Sequence, residues 1–310
     1  MNLQELRYFA AVVEFRHFGR AAESCNVSQP TLSSQIRKLE EELGVTLLER
    51  TNKRVEVTPV GRQILEHARR ALAEAGQIES VARAARDPLV GALRLGVIPT
   101  LAPYLLPLIL GPLKEAYPGL TIELWEDQTR LLVEGLRGHR LDAALVASSL
   151  GTHEISEVAL FAEPLLAVLP IGHPLAKRVG RRNAEVDEEE LAKDLLVMAD
   201  GHCLANQSLA ACGAKVGLQS AMQAATLETL VNLVAAGYGT TLIPALAAPW
   251  IENRWLANRG VELRPLRQNS TRVIRLASRP GFPRPQALRA IEKVVRKAVP
   301  EGWRHRIAEA

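Results

Sequence analysis

The chain has 310 residues, 47% hydrophobic and 23% charged, with a net charge of +4 and three cysteines. That length exceeds one compact core and suits two or three domains, and the lack of low-complexity tracts excludes a disordered chain. Three cysteines are too few for a disulfide scaffold, no apolar run reaches a membrane helix's eighteen or so residues, and the start lacks a signal peptide's basic-then-apolar pattern, so a cytoplasmic globular protein without membrane contact is expected.

Charge distribution is a poor guide to partners. Residues 1–58 carry Arg7, Arg16, Arg20, Arg37, Lys38, Arg50, Lys53 and Arg54 against an equal number of glutamates, whereas the basic surplus lies in residues 254–310. Charge alone places an anionic partner at the C-terminal end, and local pattern has to decide.

Leu3, Leu6, Phe9, Ala10 and Val13 recur at three- and four-residue steps, one face of an amphipathic helix over residues 3–15. A short helix at 18–25 follows, with Ala21 and Ala22 small enough for close approach. Asn26-Val27 makes a turn, Ser28 caps a third helix, Pro30 falls in its first turn, and Gly44 ends it after Leu43. Leu32, Ile36, Leu39 and Leu43 form its buried stripe. Its polar face presents Gln29, Thr31, Ser33, Ser34, Arg37 and Lys38, groups suited to base edges and phosphates; a solvated helix face is the alternative. Two short helices joined by a tight turn favour the first, because that order is a helix-turn-helix.

The run Ala21-Ala22-Glu23-Ser24-Cys25-Asn26-Val27-Ser28-Gln29, then Leu32-Ser33, Ile36-Arg37-Lys38-Leu39-Glu40, Leu43-Gly44 and Leu47-Leu48-Glu49-Arg50, resembles the helix-turn-helix signature of LysR-type transcriptional regulators. The resemblance implies a DNA-binding domain whose contacts include Ser28, Gln29, Pro30, Thr31, Ser33, Ser34, Arg37 and Lys38. Cys25 stands where that family usually has Leu, which implies a core residue; Leu48 stands where Phe is common. The alternating segment after Glu49 resembles the family's wing, with Arg50, Lys53 and Arg54 over phosphates.

From Pro59 to Arg86 only Gly61 and Gly76 interrupt a helical pattern. Ile64, Ala68, Ala71, Ala75, Ile78, Ala82 and Ala85 step by four and three, a 3.5-residue seam that predicts a homodimer; packing on the chain's own sensor domain is the alternative. Beyond Asp87-Pro88, strand signals at 93–98, 121–125, 143–146, 165–169, 195–198, 240–243 and 273–277 alternate with helices at 105–116, 131–136 and 227–236, which predicts a parallel sheet covered on both faces. The fold class is α/β: a winged helix-turn-helix over 1–58, a linker helix over 59–88, and a two-lobed Rossmann-like effector domain over 89–310 that resembles periplasmic binding proteins. Pro99-Thr100 after one strand and Gln128-Thr129 at a helix start can offer hydroxyl and N–H groups to a small ligand, or act as ordinary caps. No phosphate loop, paired metal-spaced histidines, CxxC or nucleophile elbow is present, so neither an enzyme, a cofactor nor a metal is expected.

His202-Cys203 opens an Ala-rich stretch that ends at Cys212-Gly213. With Cys203 at a helix N-terminus, the helix dipole and a protonated His202 favour its thiolate. Nine residues of helix separate the thiols by about 13 Å, while a disulfide tolerates Cα atoms up to about 7 Å apart, so any bond between them melts the segment. Two unrelated core cysteines remain the alternative on chemistry alone. Gly201-His202-Cys203 with Cys212, the run Val97-Ile98-Pro99-Thr100-Leu101-Ala102-Pro103-Tyr104-Leu105-Leu106-Pro107 and Ala225–Leu230 resemble the peroxide-sensing OxyR subfamily. That resemblance implies hydrogen peroxide as the signal, Cys203 as peroxidatic and Cys212 as resolving cysteine in a reversible disulfide, Thr100, Thr129, His202 and Arg272 around the effector pocket, and control of antioxidant genes. It also implies a homotetramer on promoter DNA with an interrupted dyad, working with RNA polymerase. Ala205-Asn206 stand where that subfamily carries Arg-Asp. A LysR-type regulator binding a small metabolite between its lobes is the runner-up, and a metal sensor using Cys203, Cys212 and His202 lacks a fourth ligand.

Overall fold

Asn2 starts the first helix, α1 (Leu3–Phe15), with a reciprocal cap: its side chain accepts from the Glu5 N–H, and the Glu5 carboxylate accepts from the Asn2 N–H. The computed structural model describes residues 1–50, 55–84, 87–179, 185–213, 224–253 and 260–305. Two units, Met1–Ala85 and Arg86–Ala310, divide the chain.

In the first unit the buried face of α1 is Glu5, Leu6, Tyr8, Phe9 and Val12, with Ala10 and Val13 half-buried and Leu3 exposed, so the face is rotated from the one expected. Lys38 supplies a reason: its ammonium reaches the enclosed Glu5 carboxylate at 3.2 Å and turns that side of the helix inward. α2 (Phe18–Ser24) is capped by His17, whose Nδ1 accepts from the Gly19 and Arg20 N–H groups. α3 (Gln29–Leu43) begins at Ser28, whose hydroxyl accepts from the Thr31 N–H, and ends at Gly44, φ 67°. Leu32, Ile36 and Leu39 are fully buried and Leu43 half-buried. β1 (Leu48–Arg50) and β2 (Val55–Val57) pair antiparallel, Leu48 opposite Val57. The wing residues Lys53 and Arg54 lie outside the described residues.

α4 (Pro59–Ala84) serves its own domain first: Leu65 and Ala68 complete the core over α1. Ile64 and Ala75 are half-buried, while Ala71, Ile78 and Ala82 are exposed. The apolar seam therefore emerges from the domain as the helix leaves it; Ala85 falls outside the described residues.

In the second unit β3 (Gly91–Val97), α5 (Ala102–Ala116), β4 (Leu120–Glu126), α6 (Thr129–Arg137) and β5 (Ala143–Val146) alternate as expected, with β3 parallel to both β4 and β5. β6 then runs over Ser156–Pro170, much longer than its 165–169 signal. α7 (Pro174–Val179), α8 (Glu188–Leu191), α9 (Cys203–Ala211), α10 (Leu227–Ala235), β7 (Thr241–Pro244), a single 3-10 turn (Ala245–Ala247), α11 (Ala248–Ile251), β8 (Val261–Pro265), β9 (Thr271–Ser278), α12 (Pro285–Ala298) and α13 (Glu301–His305) follow. The expected strand at 195–198 is absent: Leu195 and Met198 make isolated bridges to Thr240 and Ala224.

The strand order is β4-β3-β5-β9-β6-β7, with β8 also on β6. β9 returns between β5 and β6 antiparallel to both, and β6 pairs antiparallel with β7 and β8, so the sheet is mixed rather than all-parallel. Ser156–Pro164 of β6 lie along β9, and Leu165–Pro170 lie along β7 and β8. Two apolar cores result, one around Leu95, Leu105 and Phe161, the other around Val168, Val231 and Ile243. Part of the basic surplus toward the C-terminus is structural. Arg284 donates to the carbonyls of Pro88, Val90 and Ala92, Arg296 to those of Ala159 and Leu160, and Arg279 to those of Leu136 and Leu141.

Candidate thiol site and nucleic-acid interface

Cys203 is the first residue of α9, and Cys212 is its C-cap. All three cysteines are free. Gly201, at φ 92°, makes the turn before the helix, a conformation that favours glycine; a Cβ there would stand 2.3 Å from Gln128 Oε1 and displace that side chain. Cys203 packs against the first lobe's core, whereas Leu204, Ala205 and Cys212 belong to the second. The thiol thus sits where the lobes meet.

Ile98, Pro99, Thr100, Gln128, Thr129, Gly201, His202 and Cys203 line a small, partly open cavity of about 10 Å³, the least that admits one water-sized molecule. It adjoins an open recess of about 410 Å³ lined by Thr129, Arg130, Ser148, Asp200, Gly201, His202, Cys203, Ala205, Asn206 and Gln207. Of the four expected pocket residues, Thr100, Thr129 and His202 line the small cavity. Arg272 stands behind the wall: its Nη1 donates to Thr100 Oγ1 at 2.9 Å and its Nη2 to the Thr100 carbonyl at 3.1 Å. Thr100 therefore keeps its own hydroxyl proton to donate. The Thr129 hydroxyl lies beside the sulfur and is the side-chain donor that lowers the cost of its thiolate.

The electrostatics differ from expectation. Burial pushes the Cys203 thiol above the usual cysteine range, outweighing the Arg272 charge, the Leu204 and Cys203 N–H groups and the Thr129 hydroxyl, all of which pull it down. Burial also lowers His202, which is neutral at pH 7 and supplies no cation. The helix terminus moderates the cost of the thiolate without making it the resting form. Cys212 is pushed up to about 12, by burial first and by the Glu188 carboxylate second. Gln128-Thr129 and the Gly201 turn were readable from the sequence; Glu163, behind Arg272, was missed, since it signals itself only as a carboxylate inside an apolar strand.

On α3, Gln29, Pro30, Thr31, Ser34, Arg37 and Lys38 are exposed and Ser33 half-buried. Gln29 and Ser33 flank the Leu32–Ile36–Leu39 stripe, while Pro30, Ser34 and Arg37 lie farther from it. Ser28 is held by its cap and by Thr31 Oγ1 at 2.7 Å, and the Ser34 hydroxyl donates to the Thr31 carbonyl. Lys38 is engaged by Glu5 and, at 3.8 Å, by Glu42. Arg50 ends β1 at the wing; nothing is described of its side chain. No described helix is long and apolar enough to cross a membrane.

Residues 3–62 match the lysR family of bacterial regulatory helix-turn-helix proteins, and residues 86–300 match the LysR substrate binding domain. The chain is 43% identical over 287 residues to the hydrogen peroxide-inducible genes activator of Haemophilus influenzae, covering 91% of this chain and 92% of that one. Full-length OxyR of Pseudomonas aeruginosa superposes with TM-score 0.73 at 34% identity, covering 96% of this chain and 98% of that one. A hydrogen peroxide-bound mutant of Corynebacterium glutamicum OxyR gives TM-score 0.64 at 34% identity, covering 96% and 92%. With both domains matched and nearly the whole length shared, the chain belongs to the LysR family and, within it, to the OxyR group of hydrogen peroxide-inducible genes activators.

Proposed function

We propose that this chain is a cytoplasmic DNA-binding regulator that reads hydrogen peroxide through Cys203 and Cys212 and controls antioxidant genes. The observation that carries this is Cys203 on the wall of a small cavity that Thr100 and Thr129 also line. The Cys203 thiolate attacks one peroxide oxygen and the O–O bond breaks. Hydroxide leaves, takes a proton and becomes water, and the sulfur is oxidised to sulfenic acid. The Cys212 thiolate then attacks that sulfur, the S–O bond breaks, a second water forms and the disulfide closes. A cellular dithiol reverses it, leaving as its own disulfide.

The two ends of α9 cannot meet while it stays helical, so closure unwinds the segment and repacks the lobe that holds Cys212. Gln29, Ser33 and Arg37 read bases; Arg50, Lys53 and Arg54 neutralise phosphates. The exposed seam of α4 pairs two copies over two half-sites, dimers associate into tetramers on an interrupted dyad, and RNA polymerase is the downstream partner. A second reading, a small metabolite as effector, is favoured by the 410 Å³ recess beside Cys203.

Peptide mass spectrometry after stoichiometric peroxide separates the two. One intramolecular Cys203–Cys212 bond is expected, and Cys203→Ser should bind DNA normally while losing the peroxide-dependent change of footprint. No defined cysteine product, or a Cys203→Ser protein that still switches, refutes the peroxide reading.

A further inference from the structure

β6 and β9 face each other in register at Glu163 and Arg272, and two residues on, Leu165 has left β9 for β7. Both side chains at that crossing are 0% exposed. Glu163 Oε2 accepts from Arg272 Nε at 2.8 Å and lies 2.8 Å from Nη2 in the ion pair, and Oε1 accepts from the Leu246 N–H at 2.8 Å. Leu246 lies in the turn after β7, a strand of the second lobe, with its side chain on the first lobe's core, while the other guanidinium bonds go to Thr100 in the wall of the thiol cavity. One carboxylate therefore connects both lobes to the charge that bears on Cys203.

Burial pushes the Glu163 carboxyl upward, and Arg272 and the Leu246 N–H pull the other way. Both of its hydrogen bonds are ones a carboxylate accepts, and its ion-pair partner never gives up its proton, so it stands as the anion. A buried ion pair is seldom the most stable filling of a core; apolar side chains of equal volume generally do as well. Stability alone does not account for it.

We propose that Glu163 is a positioning residue for the thiol chemistry: its carboxylate aims the Arg272 guanidinium at Thr100 and cancels most of its charge, limiting the thiolate that Cys203 offers at rest. This rests on Cys203 being the reacting thiol. Burial outweighs the pull of Arg272 at the sulfur. The other titratable groups nearby do not take over this task. His202 is neutral, and Tyr104, which feels both Arg272 and Glu228, is pushed up to about 12 by burial and stays protonated. Among the described residues Glu163 is the anion in contact with Arg272.

The test is the pH profile of Cys203 alkylation by iodoacetamide in the full-length reduced protein, followed by peptide mass spectrometry. Glu163→Gln should move the midpoint to lower pH and raise the rate at pH 7 on the order of tenfold, the scale of one uncompensated neighbouring charge. Glu163→Asp, which keeps the charge, should stay at the wild-type midpoint. An unmoved or raised midpoint in Glu163→Gln, or the same shift in both variants, overturns the proposal. Should Glu163→Gln not fold, Arg272→Met is compared with Arg272→Met/Glu163→Leu. Both should show one common, raised midpoint, because Glu163 acts through Arg272; separate midpoints overturn it. Disulfide formation with peroxide is scored separately in the wild type, so failure of the sensor reading leaves the alkylation result standing.

Discussion

Thr129→Val should slow the reaction with peroxide and move the ionisation of Cys203 to higher pH while leaving the fold intact. Thr129 is the first residue of α6, where the cap residue is Gln128 and the hydroxyl is not needed to hold the helix, and valine keeps its shape. Its hydroxyl is the side-chain donor that lowers the cost of the Cys203 thiolate, and it lines the cavity beside the sulfur. One neutral hydrogen bond is worth about 0.5–1.5 kcal/mol, which corresponds to a roughly two- to twelvefold loss of rate. Calorimetry of the reduced protein and stopped-flow oxidation of Cys203 measure fold and chemistry independently. A lower melting temperature with an unchanged rate would refute the assignment of Thr129 to the chemistry rather than to the scaffold.

The ion pairs of Lys38 separate its role from that of Arg37. Arg37→Ala should cost about 1–3 kcal/mol on the cognate operator and little on random DNA, whereas Lys38→Met should lower domain stability slightly and leave the salt dependence of DNA binding unchanged, both read from titrations across a salt series. Gly201→Ala should cost about 1–2 kcal/mol from its left-handed backbone and displace Gln128 from the cavity wall, seen as a lower melting temperature with altered peroxide kinetics. The Glu5 carboxyl is held below the usual carboxylate range by the Asn2 N–H first and Lys38 next. Its stabilisation is complete above the unfolded value near 4.5 and disappears as pH falls through the lower folded one, so Glu5→Gln should flatten the acid limb of the first unit's pH–stability curve.

The first unit was legible because its determinants are local. Ser28, Pro30 and Gly44 bracket α3 within its own sequence, and the Leu32–Ile36–Leu39 spacing states which face is buried. β6 was not legible over most of its length because Glu163 and Pro164 break its apolar run; their compensation, Arg272 and Thr271, comes from a strand more than a hundred residues later. The same distance hid the sheet's antiparallel half, since each strand–helix alternation on its own fits a parallel crossover. At the thiol, position was readable and charge state was not: Cys203 does open its helix, but burial, which has no local signature, outweighs the dipole and keeps His202 neutral.

The placement of β9 between β5 and β6 has a consequence for how the chain is made. Ala143 pairs with Ser278 and Ser156 with the same residue, so the first lobe's sheet waits for a segment synthesised long after its other strands. The second lobe, whose β6, β7 and β8 pairings span only Leu165 to Pro265, is in effect an insertion within the first and has all its strands before β9 emerges. On the ribosome the inner lobe can fold first while β5 and β6 keep bare edges, the state most open to wrong pairing and most in need of a chaperone. The final strand then closes the outer lobe and carries Arg272 to Glu163 and Thr100 in the same step, so a nascent chain cannot hold a finished thiol cavity before its sheet is complete.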